Sequence, residues 1–280
     1  MGKVIFISYA NDAMAWSLKR IGRQARRLGV FDKVVLYTPS DLPEEILAHP
    51  LMKHPRGAGY WYWKPYIIQH TLDTYDDGDI VVYADAGCTL RKSFAWDVLF
   101  DFMRRYDTLV FQYAKDCYPE WEKWGSTSAK MNVWTKKQTL QFLDSYTQSI
   151  EYRNANLILG GLLIVKDQHN KLLSNWFHLM HNYPELVMEP NENELADQDS
   201  FYAGHRHDQS ILTPLALQDA STLVLPESLE CYTPDAPVWA SRLRASTFLE
   251  GVRKMAPIYL RIIIGNGRVD RLKRLIIHRK

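Results

Sequence analysis

Asp85 closes the apolar run Ile80-Val81-Val82-Tyr83-Ala84 and is followed by two small residues, Ala86 and Gly87. A run this continuously apolar is what a strand buried on both faces requires. A carboxylate at the carboxyl end of such a strand can hold a divalent cation on a diphosphate, or accept a hydrogen bond from a ribose hydroxyl. Small neighbours leave room for that ligand. The competing reading makes Asp85 the cap of an ordinary strand-to-loop turn, and the motif alone weighs the two equally. A second polar cluster, His205-Arg206-His207-Asp208-Gln209-Ser210, leads into an apolar segment, as a loop or helix start facing a cleft does. Its imidazoles, His205 and His207, suit a transition ion, although a His-x-His pair more often serves surface polarity or a helix cap. Arg206 presents a planar set of donors matched to phosphate oxygens.

The elements that must carry these residues follow from the apolar pattern. Val4 to Ser8 reads as a β-branched strand, Ala13 to Leu28 as a helix opened near Asn11-Asp12 and closed by Gly29, and Lys33 to Tyr37 as a second strand. Strand, helix, strand is the opening of a parallel α/β sheet. Tyr60 to Tyr75 predicts a well-buried helix, and Asp76-Asp77-Gly78-Asp79 a turn before the strand that ends at Asp85. Further helices are predicted over Phe94 to Tyr106, Ser128 to Ser149, Asn170 to Tyr183 and Ile211 to Leu217. Strands are predicted over Thr108 to Tyr113 and Leu157 to Val165, the latter with Gly160 and Gly161 at its centre, which imply a close backbone approach or a bend. Pro190 to Gly204 and Pro226 to Pro237 read as loops, and the aromatic stretch from Asp116 to Ser128 as irregular.

The chain has 280 residues, 46% of them hydrophobic, with 9 Trp, 16 Tyr and 10 Phe, so it can bury one large core. Those aromatics serve cores first, and also suit proteins that stack on sugars and bases. Cys88, Cys117 and Cys231 show no metal-type spacing and no disulfide framework, which fits a reducing compartment. The first residues are too short an apolar stretch for a signal peptide or a span, so a cytoplasmic location is expected. Net charge is +2, but residues 253 to 280 hold nine Lys/Arg against Asp270, giving +8 there and −6 elsewhere. Val269, Leu272, Leu275 and Ile276 fall near one helical face of that segment, with Arg268, Arg271, Lys273 and Arg274 mostly off it. That is the pattern of an interfacial helix on an anionic membrane surface, or of a helix packed on the domain. No nucleic acid is expected as a partner. The simplest division is a domain over 1–240 and a basic amphipathic tail over 241–280.

The blocks Gly59-Tyr60-Trp61-Tyr62-Trp63-Lys64-Pro65-Tyr66 and Asp77 to Gly87 resemble bacterial glycosyltransferases of the GT-A type, including those of lipopolysaccharide, O-antigen and capsule synthesis. Leu159-Gly160-Gly161-Leu162-Leu163 resembles their acceptor-side strand, and Asp208-Gln209 the Asp-Gln motif that follows it. The resemblance implies a Rossmann-like α/β fold with a mixed central sheet flanked by helices, a nucleotide-sugar donor, and a glycan or lipid-linked acceptor at the inner membrane face. It places Ser8, Tyr9, Lys64, Asp85, Ala86, Gly87 and Arg206 at the donor, and Gly160, Gly161 and Gln209 on the acceptor side. Asp208 becomes the candidate catalytic carboxylate, taking a proton from the acceptor or stabilising developing positive charge. Gly87 stands where such families carry the second Asp of D-x-D. Magnesium or manganese would then rest on Asp85, with His207 a further candidate ligand, while metal-free neutralisation of the diphosphate by a Lys or Arg stays open. Two other classes remain: a nucleotidyltransferase, which usually has a glycine-rich loop where Ser8 to Asp12 stands here, and a non-catalytic membrane scaffold.

Overall fold

The computed structural model describes residues 2–227, 229, 233 and 235–264, without the side chains of 260–264. In chain order its helices and strands are β1 (Val4–Tyr9), α1 (Ala15–Leu28), β2 (Lys33–Tyr37), α2 (Glu44–Leu47), α3 (Gly57–Tyr60), α4 (Trp63–Thr74), β3 (Ile80–Ala84) and β4 (Thr89–Leu90). There follow α5 (Ala95–Phe102), β5 (Thr108–Gln112), α6 (Lys137–Thr147), β6 (Ile158–Val165), α7 (Lys171–Asn182), α8 (Glu192–Ala196), α9 (Asp208–Gln218), β7 (Thr222–Pro226), β8 (Val238–Trp239) and α10 (Phe248–Ile264).

Six strands form one sheet in the order β2-β1-β3-β6-β5-β7, and all run parallel except β6, which is antiparallel to both neighbours. This is the α/β architecture with a mixed, helix-flanked sheet that the sequence implied. β1 and β3 are buried along their whole length, which accounts for their unbroken apolar runs. α1 turns Leu18, Ile21 and Ala25 inward and stops at Gly29, whose φ of 70° a side chain would resist. α4 buries Trp63, Lys64, Ile67, Ile68, Thr71 and Leu72, an apolar stripe interrupted by one ammonium.

Four differences from the sequence reading have physical causes. Of the predicted 128–149 helix, Lys137–Thr147 is α-helical and Met131–Val133 makes a 3-10 turn. Upstream of it Ser128 and Lys130 make β-bridges to Cys117 and Asn156, and the Trp134 indole donates to the Ser128 carbonyl. The predicted 190–204 loop contains α8, because Asn191 and Glu194 form a reciprocal capping box. β7 shows no alternating burial and ends in Pro226, which an edge strand tolerates. Finally, the segment assigned to the tail from 241 onward is bonded into the domain as far as residue 251. Ser17 Oγ donates to the Leu243 carbonyl at 2.7 Å and accepts from the Ala245 amide at 3.0 Å, while Gly251 lies against the Trp16 ring. Val269, Leu272, Leu275, Ile276 and the basic residues among them lie outside the described residues. Among the described residues no helix is long and apolar enough to cross a membrane.

Candidate active site

The site begins with an unusual entry into α4. Gly57, Ala58, Gly59, Tyr60 and Trp61 all have positive φ, between 50° and 101°, so the chain makes a left-handed turn before the helix. L-residues resist that conformation, and outside functional regions it is seldom sustained. Gly57 is obligatory here, since a Cβ on it would stand 2.4 Å from the Trp61 ring. The Trp63 indole donates back to the Gly57 carbonyl at 3.1 Å and pins the turn. Its result is that Trp61 folds over the first turn of α4, with Lys64 Nζ 5.7 Å from its ring centre.

Lys64 is 1% exposed and joins two carboxylates. Its Nζ donates to Asp208 Oδ2 at 2.6 Å and to the Gly160 carbonyl at 2.8 Å, and lies 3.8 Å from Asp85 Oδ1. Asp85 follows β3, its amide donating to the Gly161 carbonyl at 3.0 Å, and its Oδ1 accepts from the Tyr83 hydroxyl. Burial lowers the Lys64 ammonium, but Asp208 and Asp85 more than reverse this, so it sits above its usual 10.5. Burial raises the Asp208 carboxyl, which Lys64 pulls back only in part. Tyr83 is driven well above 10.0, by burial and then by Asp85, and so remains a donor.

Glycine is what lets β6 pass beneath these groups. A Cβ on Gly160 would stand 2.8 Å from Asp208 Oδ2 and 3.2 Å from Lys64 Nζ; one on Gly161 would stand 3.3 Å from Asp85 Oδ2. Of the two sequence-level alternatives, close approach is the one the structure adopts. Gly160→Ala should therefore cost about 1–3 kcal/mol by overpacking a buried ion pair, read as a lower urea midpoint. Gly161→Ala faces a carboxylate that is 38% exposed and can move, so it should keep its midpoint.

α9 begins at Asp208, so the carboxylate occupies the positive end of the helix. Gln209 Nε2 donates to the Ile158 carbonyl at 2.7 Å and the Ile158 amide donates to Thr213 Oγ1 at 3.1 Å, which fastens α9 to β6. His207, the residue before, has φ 49° and ψ −114°. Arg56 Nε donates to its Nε2 at 2.6 Å, which leaves Nδ1 to donate to the Val187 carbonyl at 2.8 Å. His205 Nδ1 accepts the Lys136 amide at 3.3 Å and its Nε2 donates to the Leu186 carbonyl at 2.8 Å. Both histidines have both ring nitrogens engaged by protein groups, His207, the candidate ligand of the sequence reading, included.

Burial, then neighbouring His207, holds the His205 imidazole well below 6.5. The unfolded chain therefore binds more protons than the native one in the window from 6.5 downward. Stability should fall as pH drops through that window and be unaffected by this group above it. His205→Gln should flatten the slope between pH 7.5 and 5.5 in urea unfolding; an equal slope would assign the acid sensitivity elsewhere.

Ser8 and Tyr9, expected at the donor, are both buried. Ser8 Oγ donates to the Ala84 carbonyl at 2.7 Å and ties β1 to β3, while Tyr9 stacks on Trp63 with ring centres 3.8 Å apart. Lys64 reaches the two carboxylates rather than the open cleft. Arg206 lies over Trp134, 4.1 Å from its ring centre. Ala86 and Gly87 form the turn after Asp85, and their carbonyls are held from below: Arg20 donates to Ala86 at 3.0 Å, and Ser241 Oγ to Gly87 at 2.9 Å. Arg20 escaped the sequence reading, though a cation on the apolar stripe of α1 was a legible signal. It is 5% exposed and burial lowers it to about 10. Tyr83 also escaped it, although two residues before Asp85 on a strand is the same face.

Among the described residues no group of three or more His, Cys, Asp or Glu side chains is placed to hold a metal. Asp208 is sealed by Lys64, and Gly87 offers no oxygen from a side chain. The set fits an ion carried mainly by phosphate oxygens, with Asp85 as its one carboxylate, and does not fit a cation caged by protein.

No family model matches the chain, and no curated protein matches it by sequence. Among solved structures it is similar to a glycosyltransferase involved in the glycosylation of the major capsid of PBCV-1, with 11% identity over 85% of this chain and 93% of that one and a TM-score of 0.45. It is also similar to the galactosyltransferase LgtC in complex with donor and acceptor sugar analogs, with 12% identity over 79% and 72% and a TM-score of 0.39. A third is core-mannan synthase A from Aspergillus fumigatus in its Mn/GDP form, with 10% identity over 80% and 73% and a TM-score of 0.38.

Proposed function

We propose that this protein is a GT-A-type glycosyltransferase that moves a sugar from a nucleotide-diphosphate donor to a hydroxyl of a glycan or lipid-linked glycan. The observation that carries this reading is the pair Asp85 and Asp208, held by Lys64 at the carboxyl end of β3 above the Gly160-Gly161 floor. Asp85 is the more open carboxylate and faces the donor. Asp208 is 5% exposed and its Oδ2 accepts from Lys64 at 2.6 Å, so the role assigned to it is electrostatic rather than that of the base. It stabilises the positive charge that builds on the sugar as its bond to the diphosphate lengthens. The protein's remaining work is alignment of donor carbon and acceptor hydroxyl. A divalent ion brought with the diphosphate would be held by Asp85 and would neutralise leaving-group charge.

The finer reading is a lipopolysaccharide, O-antigen or capsule acceptor, met at the inner face of a membrane. Its support is the +8 charge of residues 253–280, together with Phe248, Leu249 and Val252 exposed at the start of α10 beside Arg253 and Lys254. The deciding experiment is turnover of UDP-, GDP-, TDP- and CMP-sugars, with EDTA and manganese arms and lipid-linked acceptors, on wild type and Asp85→Ala. One donor consumed by wild type and spared by the variant establishes the transferase. No turnover of any donor would leave the scaffold reading, which the missing second carboxylate favours.

A further inference from the structure

We infer that the groove between α4 and the start of α7 is a second, non-catalytic binding site that takes a neutral sugar unit of a glycan chain. Its ligand class follows from the groove itself, and only its service to transfer rests on the glycosyltransferase reading.

The groove encloses about 450 Å³, within the range of about 300–1,000 Å³ usual for small-ligand sites. One end is aromatic. The Tyr66 ring stacks on His70, with centres 5.7 Å apart and planes 7° from parallel, and leans on Phe177 at 6.3 Å. Phe177 is in turn stacked on buried Tyr62 at 5.5 Å, so this wall is backed by the core.

The other end is built of amides. Gln69 Nε2 donates to Asp73 Oδ1 at 2.8 Å and to the Gln168 carbonyl at 2.6 Å. Gln168 Nε2 donates to the Leu72 and Tyr75 carbonyls at 3.2 and 2.9 Å. All four partners are oxygens that can only accept, so the network itself decides which end of each amide is nitrogen. Both side chains are thereby fixed through their nitrogens. Among the described residues neither Oε1 accepts a hydrogen bond, and the Tyr66 hydroxyl has no partner.

No Lys, Arg, Asp or Glu among the described residues lines the groove. A phosphate, a nucleotide or an anionic headgroup would lose water there without gaining a cation, so the fitting ligand is uncharged. A pyranose has an apolar C–H face, which the negative face of an aromatic ring attracts, and a rim of hydroxyls that can donate to the two Oε1 atoms. Tyr66 lies two residues beyond Lys64, about 200° further round the helix. Lys64 points to Asp208 and the Gly160 carbonyl. The groove is therefore on the far side of α4 from the carboxylate pair, and the sugar it takes is a distant unit of the acceptor chain, not the one being joined.

The test is saturation-transfer NMR of the full chain with lactose, maltose, cellobiose and chitobiose, on wild type, Tyr66→Ala, Gln69→Ala, Ser174→Trp and Asp85→Ala, with thermal melts to confirm folding. At least one disaccharide should bind wild type and Asp85→Ala alike. Tyr66→Ala and Gln69→Ala should each weaken it about 3- to 10-fold, the loss of one ring contact or one hydrogen bond. Ser174→Trp fills the groove from an exposed position and should abolish binding, which keeps the test decisive if either other variant melts early. Absence of binding by all four disaccharides overturns the inference. So does binding lost in Asp85→Ala but kept in the groove variants, which would put the sugar in the cleft. A dimer in sedimentation that Tyr66→Ala dissolves and sugars leave intact would make the groove a contact between copies, and also overturns it. Disaccharide binding with this pattern in a protein that turns over no donor would sink the transferase reading and leave the groove standing.

Discussion

Lys64→Met should lower the unfolding free energy by about 3–5 kcal/mol, the usual cost of removing one partner from a buried ion pair. The methionine fills the space but leaves Asp208, 5% exposed, without its 2.6 Å partner and facing Asp85. The two carboxylates then share a pocket with no cation among their contacts, and the Gly160 carbonyl loses its donor. Urea unfolding at pH 7, followed by tryptophan fluorescence, measures the loss. Its pH dependence carries a sign. With Asp208 above its unfolded value of 3.8, the native state binds the extra proton, so stability should rise as pH falls towards 3.8 and drop as pH rises. The double variant Lys64→Met/Asp208→Asn should recover part of the loss at neutral pH. A double variant no more stable than the single one would mean that packing, and not uncompensated charge, is what Lys64 supplies.

Asp85→Ala should do the reverse, leaving stability within about 1 kcal/mol while cutting donor turnover by about 100-fold or more. Its carboxylate is 38% exposed, and the one side-chain hydrogen bond it forfeits comes from the Tyr83 hydroxyl. Thermal melts paired with donor hydrolysis separate the two effects. Retained turnover with unaltered melting would remove Asp85 from the chemistry. Loss of turnover in proportion to a lowered melting temperature would make it structural.

The sequence showed best what local pattern controls. β1 and β3 fall where their apolar runs do, because a strand buried on both faces needs nothing from the rest of the chain to be recognised. Asp85 was legible for the same reason: it ends the run. What positions it was hidden. The left-handed turn at 57–61 is spelled Gly-Ala-Gly-Tyr-Trp, which signals freedom but not hand, and the hand is chosen by Trp61 closing on Gly57. Residues 128–136 have helix-compatible composition but are claimed by bridges to Cys117 and Asn156, partners remote in sequence. Ser8 and Tyr9 were placed by their position after a strand, while their burial depends on Ala84 and Trp63. Lys64 was identified from its neighbourhood, yet its work, neutralising two acids, was visible only once β3 and α9 met.

The antiparallel strand β6 of the six-stranded sheet has a further consequence, for synthesis. β6 lies between β3 and β5 in the sheet, yet it is made after both. Until residue 165 has been added, the nascent chain carries one open edge on β3 and two on β5, with unsatisfied amides and carbonyls, each a template for another chain. The Asp85 loop also lacks the Gly161 carbonyl that accepts its amide. An N-terminal half ending in the exposed stretch near Ile150 should thus be insoluble and silent alone. Co-expressed with the remainder, it should regain solubility and activity together, in one cooperative event, as the missing strand slots in.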